Sequence, residues 1–142
     1  MPQRDIYHDA VRDALINDGW SITHDPYRIV AGTQDVYVDL GAERLIAAER
    51  VGEAGTVRIA VEVKSFVGRS SVTNLEQAIG QYLLYKSLLA RQEPERVIYL
   101  AIPQQAYESV FTSVMGQVAL TDYPLKLIVC DIANKKVTQW RF

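Results

Sequence analysis

The amino-acid sequence predicts a single α/β domain, a mixed sheet with helices packed against it, and three observations carry that reading. Helix-like and strand-like hydrophobic periods alternate along the chain in the order α-β-β-β-α-β-α-β-β. One run, Arg96–Pro103, is apolar at nearly every position, the pattern of a strand covered on both faces. The 142 residues, 49% apolar and 23% charged, suffice for one core without disulfide or metal staples, so residues 1–142 are read as one domain.

The first helix covers Asp5–Asp18, with Ile6, Ala10, Val11, Ala14 and Leu15 at helical spacing and Gly19 as its stop. A loop marked by Pro26 and Gly32 follows, and then three strands. Gln34–Leu40 alternates Val36, Val38 and Leu40 against Asp35, Tyr37 and Asp39; Arg44–Val51 is the second. A hairpin turn marked by Gly52 and Gly55 leads into the third, Thr56–Phe66. Thr73–Arg91 is helical again, opened by the capping box Thr73-Asn74-Leu75-Glu76 and bounded by Pro94. After the Arg96–Pro103 strand, Tyr107, Val110, Phe111 and Val114 fall at i, i+3, i+4 and i+7 and predict a third helix. Lys126–Asp131 and Val137–Phe142, joined through Asn134-Lys135, are the last strands.

Charge and cysteine content narrow the function classes. Fifteen Lys and Arg against 17 Asp and Glu give a net charge of −2, without the basic excess of a free-standing duplex-DNA binder. A nucleic-acid role therefore needs a local basic site, a homodimer groove or a partner. The one cysteine, Cys130, follows the apolar run Leu127-Ile128-Val129; it excludes an internal disulfide framework and reads as a buried, inert thiol. No segment has signal-peptide or membrane-spanning character, so the expected location is the cytoplasm.

The stretch Arg58-Ile59-Ala60-Val61-Glu62-Val63-Lys64-Ser65-Phe66 carries the chemistry. Alternation puts Ile59, Val61 and Val63 on one face and Glu62 with Lys64 on the other. A carboxylate there can hold a hard cation, and an ammonium beside it can orient a water or steady developing negative charge. A salt-bridged edge strand is the ordinary alternative. Asp39, at the end of an apolar strand with one strand and a hairpin before Glu62, can supply the second carboxylate of a Mg²⁺ (or Mn²⁺) site. Alone it would read as a turn residue before Gly41, and Glu49 or Glu43 on the middle strand are alternative ligands. On the second helix Gln77, Gln81 and Tyr85, spaced by four and extended by Asn74, form a polar stripe apart from Leu75, Ile79, Leu83 and Leu88. His8, with Asp5, Asp9 and Asp13, reads as part of a charged outer face, and His24-Asp25-Pro26 as a turn. Lys64, Arg69, Lys86 and Arg91 are scattered at a spacing compatible with one cleft.

Asp39-Leu40 followed by Glu62-Val63-Lys64 in this element order resembles the core of the PD-(D/E)XK nuclease superfamily. Gln81-Tyr82-Leu83-Leu84-Tyr85 is similar to the Q-x-x-x-Y helix motif of its RecB-like members, although Val38 stands where a proline precedes the aspartate. At finer grain the chain resembles the XisH family of excision-controlling factors. The resemblance rests on Asp18–Thr23, Val38–Glu49, Val61–Phe66, Ala78–Tyr82 and Glu93-Pro94-Glu95-Arg96, and it spans nearly the full length. It implies a restriction-endonuclease-like core and a role in excision of the fdxN element during heterocyst development, beside a recombinase and the companion factor XisI. On this reading Asp39 and Glu62 hold Mg²⁺, with Glu49 as the alternative ligand. Lys64 positions the attacking water, and Gln81 and Tyr85 support Lys64 and a DNA substrate. A homodimer or a complex with the companion factor would assemble the groove. The rival reading is a non-catalytic regulator that keeps the fold to bind a partner protein or DNA.

Overall fold

The computed structural model describes residues 4–46, 55–68 and 70–142. Helix α1 (His8–Asn17) buries His8, Val11, Ala14 and Leu15, a stripe at helical spacing. Gly19, at φ +95°, ends it: the Gly19 and Trp20 N–H groups donate back to the Ile16 and Leu15 carbonyls. Ile6 precedes the helix and is exposed, so it is not part of the stripe.

The segment expected to be a loop holds two strands, β1 (Ser21–His24) and β2 (Tyr27–Ala31). Pro26 and Gly32 do not interrupt structure there; they bound it. Ala31 pairs with Gln34 across the two-residue turn Gly32-Thr33, with Gly32 at φ +62°, and β2 joins β3 (Gln34–Val38) in a separate two-stranded sheet. The strand expected over Gln34–Leu40 therefore ends at Val38. The chain bends at Asp39 and re-enters as β4 (Leu40–Ile46) in a different sheet. β5 (Gly55–Val63) is antiparallel to β4, with Leu40 opposite Val61 and Ile46 opposite Gly55. Gly55 is thus the first residue of a strand, while Gly52 and the end of the expected second strand lie outside the described residues.

Helix α2 (Ser71–Gln92) starts a little earlier than its capping box suggested. Ser70 is the N-cap, its hydroxyl accepting from the Thr73 N–H, so Thr73 is inside the first turn. Strand β6 (Val97–Pro103) is buried at every position after Val97. The third expected helix is two short ones, α3 (Gln104–Ser109) and α4 (Val114–Asp122). Ser113 breaks them by capping α4, its hydroxyl accepting from the Gly116 N–H, and this turns Val114 out to solvent. β7 (Leu127–Asp131) and β8 (Lys136–Arg141) complete the chain, which reads α-β-β-β-β-β-α-β-α-α-β-β rather than the simpler order expected.

The six-stranded sheet runs β1-β4-β5-β6-β7-β8, with β5, β6 and β7 parallel and the remaining pairs antiparallel. One face packs on α1 through Leu40, Ile59, Val61 and Val63; the other packs on α2, α3, α4 and the β2–β3 hairpin. Tyr82 anchors the second layer. It is fully buried, its hydroxyl donating to the Ile98 carbonyl and accepting from the Lys126 N–H. Cys130 is buried under α1, and burial pushes its thiol up to about 12, in keeping with an inert core residue. Among the described residues no helix is long and apolar enough to cross a membrane.

Candidate functional site

Strand alternation sends Ile59, Val61 and Val63 toward α1, so Glu62 faces the α2 layer beside Ala60 and is only 5% exposed. Lys64 lies just past the strand's end, where its N–H continues the ladder to the Ala101 carbonyl. The β4–β5 ladder ends at the Leu40–Val61 pair, leaving the next inward-facing N–H, that of Val63, without a backbone partner. Asp39, freed from strand alternation by its place in the bend, takes that N–H: its Oδ2 accepts from Val63 N at 2.7 Å. The side chain thereby acts as a one-residue extension of β4 and comes against Glu62.

Two carboxyls packed together in a buried place cannot both stay charged without a counter-ion. Burial first, and the adjoining Asp39 carboxyl second, drive Glu62 upward to about 10, outweighing the pull of Lys64 in the opposite direction. Glu62 therefore holds a proton at neutral pH unless a cation replaces it. Tyr85 reaches the same place from α2: burial, then the Glu62 and Asp39 charges, raise its phenol. One turn earlier, the Gln81 Oε1 is shut away from solvent with no hydrogen-bond partner. Lys64, Ser65, Asn74, Gln77 and Asp5 line a polar pocket of about 480 Å³ at the end of β5.

Of the other candidates, Glu43 is committed elsewhere: it pairs with Arg58 at 3.2 Å and with the buried Arg96 at 3.6 Å. Glu49 and Arg69 lie outside the described residues. Lys86 and Arg91 do not share a cleft with Lys64. Lys86 lines a pocket with Arg96 and Lys126 under the start of β6, and Arg91 stands roughly 25 Å along α2 from Asn74 at 1.5 Å per residue.

His8 is the residue that sequence reasoning misplaced. It is 2% exposed, not on an outer face. Its Nε2 lies 2.7 Å from Asp25 Oδ1, and its Nδ1, without a hydrogen-bond partner, faces Asp39 Oδ1 at 4.0 Å. Asp25 is in turn held by Arg4 at 3.2 Å and Arg12 at 3.4 Å. The signal was present: His8, Val11 and Leu15 fall at i, i+3 and i+7 on one stripe. The neighbouring aspartates obscured it.

Carboxyl oxygens of this kind are the donors a hard cation takes. Asp39 and Glu62 supply oxygens, and the Val63 backbone runs between them; a divalent ion of this kind completes its shell with water and substrate oxygens. Among the described residues, no group of three or more His, Cys, Asp and Glu side chains stands in metal-binding geometry.

Comparison with known proteins agrees with the finer of the two resemblances. The family described as XisH protein matches residues 1–138. None of the curated proteins matches. Two solved structures do: an XisH family protein from Nostoc punctiforme PCC 73102 and a fdxN element excision controlling factor protein from Anabaena variabilis. Each is 34% identical; the first covers 97% of this chain at a TM-score of 0.84, the second 98% at 0.83, and this chain covers 100% of both. A match over nearly the whole length in sequence and in fold leaves one reading of the lineage: the chain belongs to the XisH family.

Proposed function

We propose that this chain controls excision of a DNA element by means of a nuclease-type site of the PD-(D/E)XK kind, with Asp39 and Glu62 as the ligands of a Mg²⁺ or Mn²⁺ ion. The observation that carries the reading is the Asp39–Glu62 carboxyl pair, with Glu62 buried, Asp39 half-buried and spanning a gap in the sheet, and Lys64 near enough to Glu62 to oppose its upward shift. The ion would supply Lewis acidity for phosphodiester hydrolysis. The chain's own groups do the rest. Asp39 and Glu62 fix the charge at one point, with Asp39 held in place by the Val63 N–H. Lys64 orients the attacking water, and Gln81 and Tyr85 hold Lys64 and the strand from α2. The excision role is suggested by the similarity to the Anabaena variabilis fdxN element excision controlling factor protein.

Thermal melts with and without Mg²⁺, paired with an assay on branched and single-stranded DNA, test this. An ion that binds only the folded state raises the wild-type melting temperature. Glu62→Gln should abolish that rise and the cleavage while leaving the fold intact, and Lys64→Met should keep the rise and lose the cleavage. A wild-type melting temperature indifferent to Mg²⁺ and Mn²⁺ overturns the reading.

A second reading has its own observation. Asp39 already accepts from the Val63 N–H, and His8 Nε2 is met by Asp25, so both residues have structural partners without a ligand. A regulator that uses the fold to bind DNA, a recombinase or a companion factor would look the same. It predicts unchanged melting with Mg²⁺ and a loss of partner binding, not of cleavage, in surface variants.

A further inference from the structure

The polar pocket beside the carboxyl pair has a chemistry of its own. Its walls are the end of β5, the loop after it and the first two turns of α2. Asp5 is the one carboxylate there, and both of its oxygens are occupied: Oδ1 accepts from the Tyr7 N–H at 2.9 Å and Oδ2 from the Ser65 N–H at 3.0 Å. What remains to meet a ligand is rich in donors, namely the Lys64 ammonium, the Ser65 hydroxyl and the Asn74 and Gln77 amides. Asn74 Nδ2 is shut off from solvent and has no hydrogen-bond partner. A buried donor left alone is unfavourable, so its place in the wall of a polar pocket points to an acceptor that arrives from outside. The amides and the hydroxyl can also accept, but the Lys64 ammonium only donates and carries a charge, which favours an anionic partner over a neutral sugar or base. A phosphate oxyanion takes donors alone.

We propose that Lys64, Asn74 and Gln77 form a phosphate subsite, which holds the phosphodiester of a nucleic-acid strand next to the one presented to Asp39 and Glu62. The proposal rests on the nuclease reading and extends it: the strand enters along the start of α2, and Asn74 and Gln77 set which phosphate stops at the carboxyl pair. Asn74 and Gln77 act on position rather than on the reacting bond.

Side-chain amide NMR of the wild-type protein tests this directly, because a donor that meets a phosphate oxygen shifts. A single-stranded oligonucleotide is titrated in the presence of Ca²⁺, and inorganic phosphate in a parallel series. The expected result is a saturable shift of the Asn74 and Gln77 side-chain signals with the oligonucleotide. Asn74→Asp, which keeps shape and adds a negative charge, should weaken oligonucleotide binding about tenfold and leave the Mg²⁺-induced rise in melting temperature unchanged. If the Glu62 and Lys64 backbone signals respond while the two side-chain amides stay still, the subsite is wrong and the nuclease reading stands. If no signal responds to the oligonucleotide, both fall. If the amides respond to inorganic phosphate alone, the pocket binds a free anion and the nucleic-acid assignment is overturned.

Discussion

Glu62 shows how one buried group ties the site to the stability of the fold. Its carboxyl is raised from 4.5 to about 10, by burial first and by Asp39 next, so the folded chain binds a proton that the unfolded chain has released. The stabilisation from that proton is complete below the unfolded value and is lost as pH rises toward the folded one. The metal-free protein should therefore melt at steadily lower temperature as pH rises from about 5 to about 9. Glu62→Gln should flatten most of that slope and melt higher than the wild type at the alkaline end. Mg²⁺ should also flatten it, with one proton released per ion bound, a release that calorimetry in buffers of different ionisation enthalpy would detect. A wild-type slope equal to that of the Gln variant would contradict the burial of this carboxyl. The same residue-scale logic explains His8. A polar ring on the buried stripe of α1 is tolerable because Asp25 accepts it, and neither partner is visible from the other along the chain.

At the scale of elements, two local devices decide where helices begin. Ser70, not Thr73, caps α2, although both are plausible in the sequence. Ser70→Ala should cost about 1 kcal/mol, and Thr73→Ala distinctly less, in chemical denaturation. The reverse order would restore the expected capping box. The break between α3 and α4 depends on Gly116. A Cβ there would fall on the Val110 carbonyl oxygen and on the Phe111 Cα, both backbone atoms that cannot swing aside. Gly116→Ala should destabilise the domain by about 3 kcal/mol, read as a drop in denaturation midpoint with an unchanged slope. A neutral effect would mean that α4 does not sit against the α3 turn. These devices also aim the candidate side chains. By starting at Ser71, α2 places Asn74 and Gln77 over the end of β5 and Tyr85 near the carboxyl pair.

For the whole molecule, charge is the limiting property. A net −2 spread over one small domain provides little general attraction for a polyanion. Binding strong enough to act on DNA then calls for more surface than one copy presents, since a single module covers about 600–1,000 Å² of its own surface on DNA. We expect a homodimer, or a complex with a companion factor, as the DNA-binding form. Sedimentation of the pure protein and of its mixture with that factor should show the larger species. A strict monomer that binds DNA tightly by itself at physiological salt would refute the expectation.

Much of this was legible from local pattern. The nearly all-apolar run Arg96–Pro103 announced a strand buried on both faces, the alternation around Glu62 assigned its two faces, and the period through Thr73–Arg91 announced α2. Periodicity suffices there because each signal lies inside one element and answers only to burial. Tertiary structure alone decided three things. It split the Gln34–Leu40 run between two sheets, because strand partners are chosen across the fold, and that split is what frees Asp39 to reach Val63. It turned His8 inward, because Asp25 stands where an apolar residue would otherwise be needed. And it cut the Tyr107–Val114 period in two, because the close approach of Gly116 to Val110 and Phe111 outweighs a helical repeat of four residues. Each of these outcomes depends on a partner distant in sequence or on a close backbone approach, and a hydrophobic period contains neither.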